Sequence, residues 1–254
     1  MVKLTIDGKQ IQAEEGKVIL EVARENGIDI PALCYHEAVK SYGACRLCLV
    51  EITTAKGRKR LVTSCIYAVE EGLVVNTSTE RITEIRKTLG ELLLARCPDS
   101  EVIQKLAEQL GVEKLVFKLE EDKRKCILCA LCARVCKEII GVSAISLVNR
   151  GVDRELSTPF YQHSDTCIGC GSCAYVCPTG AITMEDNDGT REVRTPYVTM
   201  SFKLKQCKAC GNYFAPEKQL DYMAKVADLP PETFDKCLTC RTKSICARLL
   251  EVAG

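Results

Sequence analysis

Two cysteine runs in identical register constrain this chain more than any other feature. Cys126, Cys129, Cys132 and Cys136 are spaced C-x2-C-x2-C-x3-C. Cys167, Cys170, Cys173 and Cys177 repeat that spacing, and the second run closes on Pro178. Three thiolates two residues apart can wrap one face of a cubane, while the fourth points away toward a second one. The spacing therefore assigns Cys126, Cys129, Cys132 and Cys177 to one [4Fe–4S] cluster. It assigns Cys167, Cys170, Cys173 and Cys136 to the other. Separate zinc knuckles are the weaker alternative, because a tetrahedral zinc needs four ligands and this is not zinc-ribbon spacing.

Eighteen cysteines in 254 residues mean either a disulfide scaffold or a set of metal sites. The start, Met1 to Gly8, reads as a strand and not as a signal peptide. No apolar run approaches the ~20 residues of a membrane span. The expectation is an intracellular setting, the reducing cytoplasm, where clustered cysteines bind metal. A formal net charge of +1 gives no support to nucleic-acid binding. Tryptophan is absent and aromatics are few. The core is expected to rest on aliphatic residues and on cofactors that cross-link short loops.

Along the first 78 residues, Val2 to Ile6 alternates like a strand, Asp7-Gly8 turns, and Lys9 to Ala13 returns. Val18 to Asn26 has helical spacing with Gly27 as C-cap. Cys34, Cys45, Cys48 and Cys65 follow, spaced C-x10-C-x2-C-x16-C. One loop supplies three thiolates and a distant strand the fourth, which is the logic of a [2Fe–2S] site. Gly43 lets backbone N–H groups approach the sulfurs. Leu47 to Thr53 and Leu61 to Ser64 read as a hairpin around Gly57 that returns Cys65 to the loop, and Leu73 to Val75 as a last strand. A zinc site is the alternative, disfavoured by the ligand distribution. His36 reads as a packing or hydrogen-bonding residue.

Ile82, Ile85, Leu89, Leu92 and Leu93 recur at helical spacing behind Thr79 as N-cap, and Cys97-Pro98 stops the helix. Val102, Ile103, Leu106 and Leu110 form a second stripe, ended by Gly111. Both stripes read as core. Cys97 stands alone outside every ligand spacing and reads as a structural or incidental thiol. The charged run 120–125 reads as a solvated connection.

After each cysteine run the chain repeats itself, with Gly141 to Ile145 after the first and Thr179 to Ile182 after the second. Each isoleucine is expected to begin a strand over its cluster. Asn149 to Phe160 reads as a hairpin with Gly151 near the tip, and a second hairpin turns at Asp188-Gly189. Lys137 stands where the second run has Pro178, and His163 reads as a surface residue. In the last stretch, Cys207-x2-Cys210 and Cys237-x2-Cys240 are two knuckles that give the four thiolates of a structural zinc site. A helix with Leu220, Met223, Ala224 and Ala227 on one stripe runs between them from Pro216 to Pro230-Pro231. Cys246 is expected with Ile245, Leu249 and Leu250 on an apolar helix face, as a buried thiol. A third [4Fe–4S] cluster using Cys246 is the competing reading.

The order of these features resembles a known family. Its marks are Cys34, Cys45, Cys48 and Cys65, the leucine-rich helix ending Leu92-Leu93-Leu94-Ala95, and the double cysteine run. Asn149-Arg150-Gly151 and Ser157 to Phe160 stand between the halves of that run. They resemble the N-terminal part of the large iron–sulfur subunit of respiratory complex I. They look still more like the iron–sulfur diaphorase subunits of NAD-linked nickel–iron hydrogenases and of bifurcating hydrogenases. The resemblance covers about residues 1–200. It implies an α+β chain with a β-grasp [2Fe–2S] ferredoxin domain over 1–78, a helical linker over 79–125 and a double [4Fe–4S] ferredoxin domain over 126–200; the cysteine spacing adds a knuckle tail over 201–254. One departure stands out. The family carries His-x3-Cys-x2-Cys-x5-Cys after the leucine-rich helix, and here that place reads Arg96-Cys97-Pro98-Asp99. The cluster held there is expected to be missing, with the electron path rerouted through a partner's cluster. The C-terminal knuckles resemble the tail of ferredoxin-like subunits in some formate-linked hydrogenase complexes.

No nucleotide fingerprint, flavin motif or catalytic acid–base pair stands out, so no catalytic residue is assigned. The expected function is single-electron relay between a flavin/NAD(P) subunit and a hydrogenase partner, in a hetero-oligomer, with cofactors supplying the chemistry. A formate dehydrogenase is the alternative partner. A redox- or iron-responsive interaction protein is the rival from another class, and a purely structural zinc protein, which would be colourless, is the third reading.

Overall fold

The computed structural model describes residues 1–113, 116–119 and 125–253, except the side chains of 231 and 247–253. Of the charged run 120–125, only Lys125 lies among the described residues.

Strands β1 (Val2–Ile6) and β2 (Lys9–Ala13) form a hairpin. Its turn residues Asp7 and Gly8 sit at φ 49 and 81, the positive values a type I′ turn needs. Val2, Leu4 and Ile6 alternate into the core. Helix α1 (Ile19–Glu25) follows, with Glu21 Oε2 accepting from the Val18 N–H at 3.2 Å and Gly27 at φ 74 beyond its end. Strands β3 (Leu49–Thr53), β4 (Lys59–Thr63) and β5 (Leu73–Asn76) complete a five-stranded sheet ordered β2-β1-β5-β3-β4, with β1 and β5 parallel. The buried face of α1 (Ile19, Leu20, Val22, Ala23) packs into the same core as Ile6, Val50, Ile52 and Val75.

Helix α2 (Glu80–Arg96) starts where Thr79 Oγ1 accepts from the Ile82 N–H at 3.3 Å, and it ends at Cys97 before Pro98. Its stripe departs from expectation. Ile82 is buried, but Ile85, Leu89 and Leu93 are only half-buried and Leu92 is exposed. The inward face is instead Ile82, Arg86 and Gly90, spaced by four. Gly90 admits α3 (Glu101–Gln109) closely, since a Cβ there would meet Leu110 Cδ1 at 3.0 Å.

Each cysteine run leads into a helix, α4 (Leu131–Glu138) and the short α5 (Ser172–Tyr175), and then into a hairpin. The first hairpin is β6 (Ser146–Val148) and β7 (Glu155–Ser157), with a 3-10 turn at Gly151–Asp153. The second is β8 (Thr183–Asn187) and β9 (Thr190–Arg194), turning at Asp188 and Gly189 with φ 47 and 78. The buried Ile145 and Ile182 stand directly before β6 and β8.

The sheet does not stop at residue 200. Strand β10 (Thr199–Gln206) pairs with β9 and then with β11 (Tyr213–Pro216), giving the order β11-β10-β9-β8. Met200, Phe202 and Leu204 alternate into the core beneath it. The boundary expected at 200 therefore falls inside a strand, and the tail grows out of the double-cysteine module. Helices α6 (Glu217–Val226) and α7 (Leu238–Ala253) complete the chain. Among the described residues, no helix is long and apolar enough to cross a membrane.

Candidate iron–sulfur and metal centres

None of the eighteen cysteines forms a disulfide. In the N-terminal module Cys34, Cys48 and Cys65 are buried and Cys45 is half-buried. Gly43 holds φ 68, and a Cβ there would lie 2.6 Å from Ile66 Cδ1. The turn brings the Cys45 N–H to donate to Cys34 Sγ at 3.5 Å. The four thiols sit close enough to exchange hydrogen bonds. Those from Cys45 and Cys65 hold Cys34 far below the ordinary thiol range. Cys65 holds Cys48 below it as well. The same bonds, with burial, push Cys45 and Cys65 up. Such a group titrates as a set and is primed to shed protons to a metal. His36 Nδ1 accepts from the Ala38 N–H at 3.2 Å.

The two long runs cross. A small cavity is lined by Cys126, Cys129, Cys132 and Cys177, walled by Leu131, Leu147, Leu156 and Ile182. A second small cavity is lined by Cys136, Cys167, Cys170 and Cys173, walled by Ile145, Val193 and Met200. The fourth cysteine of each run thus faces the other run's first three. Burial pushes the Cys129 thiol up to about 11 and the Cys173 thiol to about 12, and it raises Cys132 and Cys167 as well. In an apolar hollow a thiolate needs a cation beside it, so the donor set suits a multi-iron centre. Polar partners for the sulfurs come from the loops: the Ala144 N–H donates to Cys136 Sγ at 3.2 Å, and Thr179 Oγ1 lies 3.8 Å from Cys177 Sγ. Leu128, Ala130, Gly169 and Gly171 all sit at positive φ, and the Leu131 and Gly169 N–H groups reach the Cys129 and Cys167 thiols.

The N-terminal module and the first cavity share a core. Cys34, Val39, Cys129, Leu131 and Val135 form one buried cluster. Arg134 of α4 donates through Nη2 to the Cys34 carbonyl at 2.7 Å and through Nη1 to the Lys40 carbonyl. The Lys40 N–H donates to Glu138 Oε2 at 2.9 Å. Neither Arg134 nor the buried Arg86 stands out in the sequence by motif. The spacing of Arg86 with Ile82 and Gly90 is the signal that could have found it.

In the tail, Cys207, Cys210, Cys237 and Cys240 bring their sulfurs within 4.8 Å of one another. Cys210 Sγ and Cys237 Sγ lie 3.9 Å apart, close to the separation of about 3.8 Å that a tetrahedral centre with Zn–S of about 2.3 Å requires. The Cys237 N–H donates to Cys207 Sγ at 3.2 Å and holds that thiol down at about 6. Gly211 at φ 77 closes the first knuckle. Cys246 is not in this group. It is exposed, as is Ile245, which corrects the expectation of a buried thiol on an apolar face. The side chains of Leu249 and Leu250 lie outside those described. Cys97 is buried at the end of α2 and lines neither cavity. His163 is exposed, its ring 5.4 Å from that of Phe202.

Residues 1–80 match the 2Fe-2S iron-sulfur cluster binding domain family, and residues 125–181 match the 4Fe-4S dicluster domain family. The NADPH-Fe(3+) oxidoreductase subunit alpha of Geobacter sulfurreducens is 35% identical over 209 residues, covering 72% of this chain and 24% of the relative. The NADP-reducing hydrogenase subunit HndD of Solidesulfovibrio fructosivorans is 34% identical over 212 residues, 72% of this chain and 36% of the relative. The chain thus spans about a quarter to a third of the length of these curated relatives. A crystal structure of an NAD+-reducing [NiFe]-hydrogenase in the H2-reduced state superposes with a TM-score of 0.55 at 30% identity, covering 62% of this chain and 74% of that one.

Proposed function

The chain belongs to the family of iron–sulfur subunits of NAD(P)-linked hydrogenases and complex I-type oxidoreductases, and from that membership we propose that it relays single electrons within such a complex. The observation that carries the proposal is the shared core of Cys34 and Cys129. It sets the N-terminal thiol group against the first cavity, and the crossed runs set the first cavity against the second.

Cys34, Cys45, Cys48 and Cys65 would hold a [2Fe–2S] cluster. Cys126, Cys129, Cys132 and Cys177 would hold one [4Fe–4S] cluster, and Cys136, Cys167, Cys170 and Cys173 another. When bound, these groups supply one-electron redox chemistry. The residues of the chain do the rest. The apolar walls of both cavities exclude water, the loop N–H groups meet sulfur charge, and Arg134 fixes the distance between the first two centres. The path from the N-terminal centre to the first cubane then runs inside this chain, with no partner's cluster in between. On this reading the route inside the chain is an alternative to rerouting through a partner's cluster. Cys207, Cys210, Cys237 and Cys240 would hold a structural zinc, supported by their mutual closeness and by the exclusion of Cys246 from the group.

The proposed partners are a flavin/NAD(P) subunit and a hydrogenase, in a cytoplasmic hetero-oligomer. The hydrogenase relatives favour this over a formate dehydrogenase. The test is metal analysis and EPR on protein purified without oxygen. About ten iron, about ten acid-labile sulfide and about one zinc per chain are expected. Reduction should develop one [2Fe–2S] signal and two mutually coupled [4Fe–4S] signals. About fourteen iron without zinc would make the tail a third cubane. A colourless zinc protein would end the relay reading.

A further inference from the structure

Arg86 is a charged residue on the inward face of α2, only 9% exposed. Its guanidinium fork is fully directed. Nε donates to the Leu47 carbonyl at 2.9 Å, Nη2 to the Leu49 carbonyl at 2.8 Å, and Nη1 to the Thr77 carbonyl at 2.9 Å. Leu47 and Leu49 flank Cys48, so one planar group holds carbonyls of the residues on either side of a cysteine in the N-terminal thiol group. A lysine could not make this paired contact, because its ammonium is a point charge and not a fork.

Carbonyls satisfy the N–H groups but do not neutralise the charge. A buried cation left without an anion is strongly unfavourable. Among the described residues no carboxylate forms an ion pair with Arg86. The carboxylate of Asp7 is taken by the Thr77 N–H and Oγ1, at 2.8 and 2.6 Å. Burial pushes the Arg86 guanidinium below the ordinary arginine range, while the Cys48 thiol, then Asp29 and Asp7, act in the opposite direction. With no carboxylate paired to it, the guanidinium is tied by the Leu47 and Leu49 carbonyls to the segment that carries Cys48.

We propose that Arg86 is the buried counter-charge of the N-terminal [2Fe–2S] centre, a positioning residue that locks the Cys48 loop and raises that centre's reduction potential. The inference rests on the relay reading, which places the cluster among Cys34, Cys45, Cys48 and Cys65. A core held by four thiolates is anionic and gains one more negative charge on reduction. A fixed cation in a low-dielectric site favours the reduced form over the oxidised one. The two cubanes, held by other loops, should not feel it to the same extent.

The test is EPR-monitored redox titration of the full chain with Arg86→Gln, Arg86→Met and Arg86→Lys. At the wild-type midpoint, the neutral variants should shift the oxidised-to-reduced ratio of the [2Fe–2S] signal by about tenfold or more, about 59 mV for one electron. Arg86→Lys should shift it by less than about threefold, with faster loss of the cluster in denaturant because the paired carbonyl contact is gone. The cubane midpoints should stay in place. Unchanged potential in neutral variants that keep the cluster would overturn the proposal and leave Arg86 a strut. If both neutral variants lose the cluster while Arg86→Lys keeps it, the charge is required and the proposal stands. If Arg86→Lys loses it too, the fork geometry alone matters and the counter-charge is rejected. Absence of any [2Fe–2S] signal in the wild type would instead sink the relay reading on which the inference rests.

Discussion

The two cysteine runs fold into the same loop by different means. Cys126 to Cys132 and Cys167 to Cys173 align residue for residue, with Leu128 opposite Gly169 and Ala130 opposite Gly171. All four sit at positive φ: 54 and 69 for the first pair, 61 and 76 for the second. For glycine that conformation is free of strain, and for leucine or alanine it costs about 1–2 kcal/mol each. The first loop carries this strain where the N-terminal module presses on it, through the core shared by Cys34, Cys129 and Leu131 and through Arg134. Strained backbone persists where its surroundings over-determine it. The second loop is gripped from the other side. A Cβ on Gly169 would lie 2.6 Å from the Phe202 ring, and one on Gly171 would lie 2.0 Å from Met184 Sδ. Its glycines admit the four-stranded sheet. The same loop is thus held by the module before it in one half and by the strands after it in the other.

The largest effect would come from breaking the crossing that joins the halves. Cys177→Ala should remove the cubane of the first run, about four irons, while the centre of its own run survives. Adding Cys129→Ala should cost nothing further, since both residues line one cavity. Adding Cys170→Ala, which lines the other, should remove about eight irons in total. Iron counts from the two double variants decide the matter: the opposite pattern would mean that each run holds its own cluster.

Glycine exchange tests the unequal strain. Gly169→Ala forces a side chain onto the flat of the Phe202 ring in a left-handed backbone, and it should destabilise by about 2–4 kcal/mol. Ala130→Gly relieves strain in the folded state and loosens the unfolded chain, so it should change stability by less than about 1 kcal/mol. Urea midpoints for bleaching of the cluster absorbance give the comparison. Equal losses at both positions would show that the first loop is not strained as its φ values imply.

Arg134 tests the grip on the first loop. Arg134→Met removes the donors to the Cys34 and Lys40 carbonyls and should weaken local protection by about 1–3 kcal/mol. Hydrogen exchange should rise across residues 34–45 and stay unchanged across 167–173. A rise in both stretches would mean that the two grips are not separate.

Much of this was legible in the sequence because ligand spacing is local. The C-x2-C-x2-C-x3-C register dictates which way each thiol points, and Asp7-Gly8 and Asp188-Gly189 mark type I′ turns by composition alone. The miss over β10 was avoidable, since Met200, Phe202 and Leu204 alternate cleanly with Ser201 and Lys203. Other features had only a weak local signal. The leucine-rich stripe of α2 looked like core, yet Leu92 is exposed and the inward position belongs to Arg86. An arginine is buried only because three carbonyls from distant segments converge on it, and such convergence exists only after folding. The exposed Cys246 is a similar case: an apolar stripe states that a helix has a face, not that anything covers it.

The smallest effect concerns how the second loop is tied to its hairpin. Arg191 of β9 donates through Nη1 to the Gly169 carbonyl at 3.3 Å, and its Nε and Nη2 meet Asp186 of β8 at 2.7 and 2.8 Å. The first loop has its own arginine on a carbonyl, Arg96 Nε to Cys126 at 2.9 Å. The bond from Arg191 holds the Asp186 carboxyl below its ordinary 3.8. A depressed carboxylate contributes stability above its unfolded pKa and loses it as pH falls through the lower folded value. From pH 8 down to pH 5, Asp186 is ionised in both states, so the contribution is constant there. The Asp186 side chain is 41% exposed, so solvent screening limits the pair to about 0.5 kcal/mol or less. Asp186→Asn should therefore raise exchange in β8 and β9 slightly, by the same factor at pH 5 and pH 8 after correction for intrinsic rates. A difference that shrinks between those values would place the titration higher and mean that Arg191 is held to the second loop by something other than Asp186.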